Sequence, residues 1–182
     1  IDGPAGAAKS TVARMLAERL GFVLVDTGAL YRTVALAAKR AGVAWSDEPA
    51  VADLARALIA SHAIELDRDT TTSVGGGGGI VVRLSGEDVS LSIREPDMSL
   101  SASRVSAIPA VREALLDAQR QAGTRGGVVI EGRDIGTVVF PDAEVKFFLT
   151  ATPEIRAKRR FDELTGRGSD VSYEGTLNDV KR

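Results

Sequence analysis

The chain has no cysteine and a single histidine, His62, among 182 residues. Without cysteine there is no disulfide, no thiol nucleophile and no thiolate zinc site, and one imidazole builds no histidine ligand cluster and leaves His62 as the sole candidate for any His-based triad. Chemistry must therefore come from Lys, Arg, Asp, Glu, Ser and Thr. Aromatic residues are scarce at 4%. No apolar run approaches the ~18 residues of a membrane span and no signal-peptide pattern opens the chain, so a cytoplasmic protein is expected. An excess of one charge is missing as well. The 23 Lys and Arg against 25 Asp and Glu leave a formal charge of −2, and no overall basic field selects nucleic acid or a membrane surface as partner. What is there is 44% hydrophobic residues, enough for one good core, so a single domain with inserted lobes is expected. The first residue is Ile1, not Met, and the last, Arg182, falls inside a helical pattern, which points to the ordered part of a longer protein.

Along the chain, strand-like and helix-like stretches alternate. Val12, Met15, Leu16, Arg19 and Leu20 follow helical spacing up to a stop at Gly21. Phe22 to Val25 reads as a short buried strand, and helices follow over about Ala29–Arg40 and Pro49–Ala60. The period then changes to two. Ile64 and Leu66, then Ile80, Val82 and Leu84, then Val89 and Leu91 after a Ser85-Gly86-Glu87-Asp88 turn, predict a small antiparallel insert. The five glycines 75–79 within it read as a flexible tip. Helices resume near Ser99 and at Pro109–Ala122, while Val128–Ile130 and Val145–Leu149 read as buried parallel strands. Pro153–Leu164 and Tyr173–Arg182 are the last helices. Strands alternating with helices imply an α/β fold with a parallel sheet flanked by helices.

Into this pattern fits "GPAGAAKST". Gly3, Lys9 and Ser10 occupy their places in the phosphate-loop pattern G-x-x-x-x-G-K-[ST], but Ala8 stands where the second glycine belongs. Backbone N–H groups of such a loop converge on an anion at a helix N-terminus, Lys9 reaches the β and γ phosphates, and the Ser10 hydroxyl holds Mg²⁺. Glycine at position 8 would allow a positive φ, and a Cβ there costs roughly 1–2 kcal/mol; nucleotide affinity is expected to suffer while the fold survives. Three further stretches follow. "DTGALYR" at 26–32 taken alone is a helix start capped by Asp26 or Thr27. "EGRDIGTVVFPDA" at 131–143 could equally hold an Arg133–Asp134 surface ion pair. "RAKRR" at 156–160 puts Arg156, Arg159 and Arg160 on one side of a helix, by itself a solvated face. The first two of these fall at strand ends beside the loop, where open parallel sheets bind ligands.

Together with "SASRVSAIPAVREALLDAQR" and "VIEGRDIGTVVFPDAEVKFFL", these stretches resemble, in order and across nearly the whole chain, the successive motifs of the bacterial cytidylate kinases, a family of nucleoside monophosphate kinases. The resemblance implies one P-loop kinase domain. Its core would lie at about 1–46 and 94–154, its acceptor-binding β insert at about 47–93, and an arginine-bearing helical lid at about 155–172. It implies ATP with Mg²⁺ as donor, CMP or dCMP as acceptor, and a monomer. The donor site would fall on Gly3, Pro4, Ala5, Gly6, Ala7, Ala8, Lys9, Ser10 and Thr11, with Ser10 as the magnesium residue. The acceptor phosphate would fall to Arg32 and Arg133, and cytosine to Thr27, Ser103, Arg112 and Asp134. Lys9, Arg32, Arg133, Arg156 and Arg159 would carry the chemistry. Members also place lid and sugar-binding Arg and Asp residues just beyond the position of Arg182. Two rival readings stand beside this one: another small-molecule P-loop kinase, and a non-catalytic nucleotide-binding module impaired by Ala8.

Overall fold

The structure is a computed structural model, and it describes residues 1–68, 80–124, 126–166 and 168–181. The five-glycine tip lies outside the described residues. Helix α1 (Lys9–Leu20) ends at Gly21, whose left-handed φ of 65° turns its N–H back onto the Ala17 and Glu18 carbonyls. The chain then runs directly into β1 (Val23–Asp26). Helix α2 (Gly28–Arg40) is buried along most of its length, with Leu30 and Val34 fully covered. Helix α3 (Glu48–Ala60) is capped by Asp47, whose side chain accepts from the Ala50 N–H, and has Pro49 in its first turn. With α5 (Pro109–Gly123), these helices enclose the main core of Leu30, Val34, Val51, Val111 and Leu115.

The small antiparallel sheet runs β2 (Ile64–Arg68), β3 (Ile80–Leu84), β4 (Glu87–Asp88). Ser85 and Gly86 both have positive φ, 52° and 83°, the mirror-image turn that suits hairpin twist. Pairing stops sooner than the alternation suggested. The Ser90 hydroxyl accepts the Val82 N–H and the Asp88 carboxylate accepts the Ser90 N–H, so the chain bends out of the ladder and leaves Leu91 86% exposed. A 3₁₀ turn at Ser92–Arg94 leads into α4 (Pro96–Val105), and Ile93 and Met98 pack with Val82, Leu84 and Val89 against α2.

The parallel sheet positions the site. β5 (Val128–Glu131) pairs with β1 in the register Val23↔Val128 to Asp26↔Glu131. On the other edge of β5, the Ile1 nitrogen donates to Ile130 O at 2.7 Å and Gly132 N–H donates to Ile1 O at 3.0 Å. Asp2 in turn bridges to Phe148 in parallel. All strand ends therefore face one way, toward one edge. The expected buried strand at 145–149 needs correcting. Among the described residues its pairing is limited to two bonds with Asp2, and Val145 and Phe148 are 68% and 70% exposed. An apolar run alone did not mean burial there. Helix α6 (Pro153–Gly166) and α7 (Tyr173–Lys181) close the chain, with Phe161 edge-on to Tyr173 at 6.1 Å. Among the described residues no helix is long and apolar enough to cross a membrane.

Candidate active site

The glycine loop leaves the sheet at Gly3, where φ is 145° and a Cβ would lie 2.0 Å from the Leu149 carbonyl oxygen. No side chain fits that contact. At the tip, a Cβ on Gly6 would lie 2.7 Å from the Arg156 carbonyl oxygen, so α6 packs on the loop itself. Ala8 holds φ 71° and ψ 27°, the left-handed conformation for which the pattern uses glycine. The strain expected at this position is thus built into the loop. Lys9 Nζ donates to Pro4 O at 3.0 Å, bending its side chain back over the loop. Burial pushes the Lys9 pKa down and Arg133 adds to that, against the upward pull of Glu131, Asp26 and Asp2.

Behind the loop stand two carboxylates. Ser10 Oγ donates to Glu131 Oε2 at 2.9 Å, and Glu131, 4% exposed, is the register partner of Asp26. Burial, then the Asp26 charge, raises the Glu131 pKa, and the Ser10 bond, Lys9 and Arg32 oppose that rise. Sequence reasoning took Ser10 and passed over Glu131. Its only signal was position, directly after the apolar Val128–Ile130 run and directly before Gly132-Arg133-Asp134. Asp26 accepts from the Gly28 N–H at 2.9 Å and from Arg32 at 2.5 Å. Among the described residues the buried Nε of Arg32 has no partner, an uncompensated donor. Thr27 is not a side-chain cap for α2. Its buried hydroxyl donates to Glu131 O at 2.9 Å, because α2 starts where the Asp26 carboxylate, one residue earlier, already takes the Gly28 N–H.

Asp134 opens a five-residue π-helical turn, Ile135–Val139. Its carboxylate pairs with Arg112 from α5, so the alternative of an Arg133–Asp134 ion pair is not what forms. Arg133 is exposed at the same strand end. One and two turns along α5 from Arg112, Leu115 is buried and Gln119 Nε2 donates to the Tyr31 hydroxyl at 3.2 Å. Burial raises the Tyr31 pKa, and the nearby Arg112 and Asp134 charges pull on it in opposite directions. Arg32, Thr27, Arg112, Arg133 and Asp134 thus gather around the ends of β1 and β5. Ser103 is different: it is exposed on α4, and among the described residues no hydrogen bond joins its side chain to Arg112 or Asp134.

A family model described as cytidylate kinase matches residues 1–182. The chain is 53% identical over 181 residues to the cytidylate kinase of Syntrophotalea carbinolica, covering 100% of this chain and 72% of that protein. It is 51% identical over 180 residues to the cytidylate kinase of Pelotomaculum thermopropionicum, covering 99% of this chain and 75% of that one. The chain belongs to the cytidylate kinase family. As a member of that family it is a nucleoside monophosphate kinase, a phosphotransferase on an α/β fold.

Within this cytidylate kinase family member the "RAKRR" arginines are not equivalent. Arg159 donates to Gly6 O at 3.2 Å, at the tip of the phosphate loop. Arg156 donates instead to Val180 O at 2.6 Å and ties α6 to the end of α7. Arg160 pairs with Glu163 at 3.2 Å along its own helix. Helical spacing puts all three on one side, but among the hydrogen bonds of the described residues only that of Arg159 reaches the loop.

Proposed function

We propose that this chain transfers the γ-phosphoryl group of ATP to CMP or dCMP, giving CDP or dCDP, at the edge where the phosphate loop meets the ends of β1 and β5. The observation that carries the reading is the convergence, at one sheet edge, of an anion-binding loop with Lys9, an Arg32 guanidinium whose Nε has no partner among the described residues, and the Arg112–Asp134 pair. Residues Gly3–Thr11 take the donor phosphates, with Lys9 on the β and γ groups. Arg32 and Arg133 hold the acceptor phosphate. Thr27, Ser103, Arg112 and Asp134 surround the base. Asp134 accepts from the cytosine N4 amino group and is repelled by uracil O4, while Arg112 donates to the ring acceptors.

The acceptor phosphate is largely ionised at neutral pH, its second pKa being about 6, so no general base is required and positioning with positive charge does most of the work. The oxygen donors beside the loop, Ser10 and Glu131 at 2.9 Å, suit a hard cation such as Mg²⁺. These two residues would hold it, and it would neutralise charge on the donor phosphates. The lid at about 155–172 brings Arg156 and Arg159 toward that charge and excludes water. The core, insert and lid boundaries follow the family division. With the family resemblance, the reading carries with it the proposal of a monomeric, cytoplasmic enzyme.

A coupled assay with ATP and CMP, dCMP, UMP or AMP tests this. Turnover with CMP and dCMP ahead of the others is expected. Preference for another acceptor would favour a different small-molecule kinase, and ATP binding without turnover would favour the impaired binding module.

A further inference from the structure

We infer that Asp2 is a positioning residue for base selection: its buried carboxylate sets Asp134 in place. Asp2 is 8% exposed. Its Oδ1 accepts from the Ile135 N–H and its Oδ2 from the Gly136 N–H, both at 2.8 Å. These are the first two N–H groups of the π-helical turn, and the first donors of a helical turn have no partner within it. The next three, from Thr137, Val138 and Val139, return to the Asp134 carbonyl. A side chain 133 residues away thus completes the turn that begins at Asp134.

Asp134 is therefore fixed from both sides. Upstream, Gly132 N–H is held by Ile1 O; downstream, Ile135 and Gly136 are held by the Asp2 side chain. Asp2 is itself locked between neighbours, its N–H on Phe147 O at 2.8 Å and its carbonyl receiving Leu149 N–H at 2.7 Å. With the backbone so constrained, the Asp134 carboxylate is directed at Arg112. A carboxylate is required because the buried Ile135 N–H and the half-buried Gly136 N–H each need an acceptor oxygen of their own. An amide at position 2 has one acceptor and would turn NH₂ toward the other donor. The turn would then shift to relieve two opposed donors, and Asp134 would move with it.

This inference rests on the proposed reading of Asp134 as the residue that recognises cytosine. The test compares Asp2→Asn, Asp134→Asn and the double variant by kcat/KM for CMP and for UMP, with ATP affinity measured calorimetrically. Asp2→Asn is expected to lower the CMP-to-UMP ratio by roughly tenfold or more, as a displacement near 1 Å can, with wild-type ATP affinity. The double variant is expected to match Asp134→Asn alone, since Asp2 acts through Asp134. Asp2→Glu keeps the charge but moves the oxygens by one methylene; it supplies the same comparison if the amide variant does not fold. An unchanged ratio in both Asp2 variants, ratios that multiply in the double variant, or a loss confined to ATP affinity would each overturn the inference. If Asp134→Asn itself keeps the wild-type ratio, the base assignment fails and this inference falls with it.

Discussion

The Ser10 hydroxyl donates to Glu131 Oε2 at 2.9 Å, which ties the first turn of α1 to the end of β5. A carboxylate buried against a second one, Asp26, is retained at a cost to the fold. Its value must lie in what the site binds.

Glu131→Gln keeps an acceptor for Ser10 and removes the charge. Turnover is expected to fall by roughly 10–100-fold, with a higher magnesium requirement. Stability should move the other way. The folded-state pKa is raised above the ordinary 4.5, so the folded chain binds more protons than the unfolded chain in the window above that value. Stability accordingly falls as pH rises through the window. The Gln variant escapes this loss, and its gain in Tm over wild type should be present at about pH 7 and vanish below about pH 4. Melting curves at both pH values check the sign. A variant less stable at neutral pH would contradict the burial argument.

Ala8→Gly separates two places where strain can appear. Ala8 is already left-handed, at φ 71°, so its cost is borne when the loop folds and not when nucleotide arrives. Glycine should stabilise the fold by about 1 kcal/mol, or roughly 2–4 °C in Tm for a chain of this size. ATP affinity should then change by less than about threefold. A tenfold tightening with unchanged Tm, measured by calorimetry, would mean that the bound loop differs from this one.

Asp134→Asn concerns base choice. The amide can donate to uracil O4 as well as accept from cytosine N4, so the preference for CMP over UMP should drop by about 1–3 kcal/mol, some ten- to hundredfold in kcat/KM. Arg112 loses its anionic partner but is partly solvated, so Tm should move little. Selectivity assays with both nucleotides decide it.

The donor loop and the strand-end stretches were legible because their signals are local: a spaced pattern, or a polar run directly after an apolar one. Glu131 was harder to see. Its contact with Ser10 spans 121 residues, and a lone carboxylate after a strand has no spacing of its own. Asp2 was invisible for the same reason, since an Asp before a glycine loop does not announce that it caps a turn near residue 135. At 145–149 hydrophobicity misled, because burial depends on which neighbours cover the segment, and among the described residues only Asp2 pairs with it. Thr27 was assigned by resemblance, but its donor is committed to Glu131 O, so its hydroxyl can offer a base only an acceptor lone pair.

The arginines of α6 give two opposite expectations from one helix. Arg159 reaches Gly6 O from an exposed position, so Arg159→Ala should lower kcat by roughly tenfold, the loss of one charged contact to a developing negative charge. Its Tm should stay within experimental scatter, because an exposed, long bond contributes little to the fold. Arg156 is half-buried and bonded to Val180 O at 2.6 Å. Arg156→Ala should therefore cost about 1–2 kcal/mol of stability by leaving that carbonyl without its charged donor and loosening α6 from α7. If its catalytic loss is indirect, arising only because α6 no longer sits on the loop at Gly6, Arg156→Lys should restore much of the rate by reaching the same carbonyl. A Lys variant as slow as the Ala variant, with normal stability, would assign Arg156 a direct phosphate contact made after the lid closes.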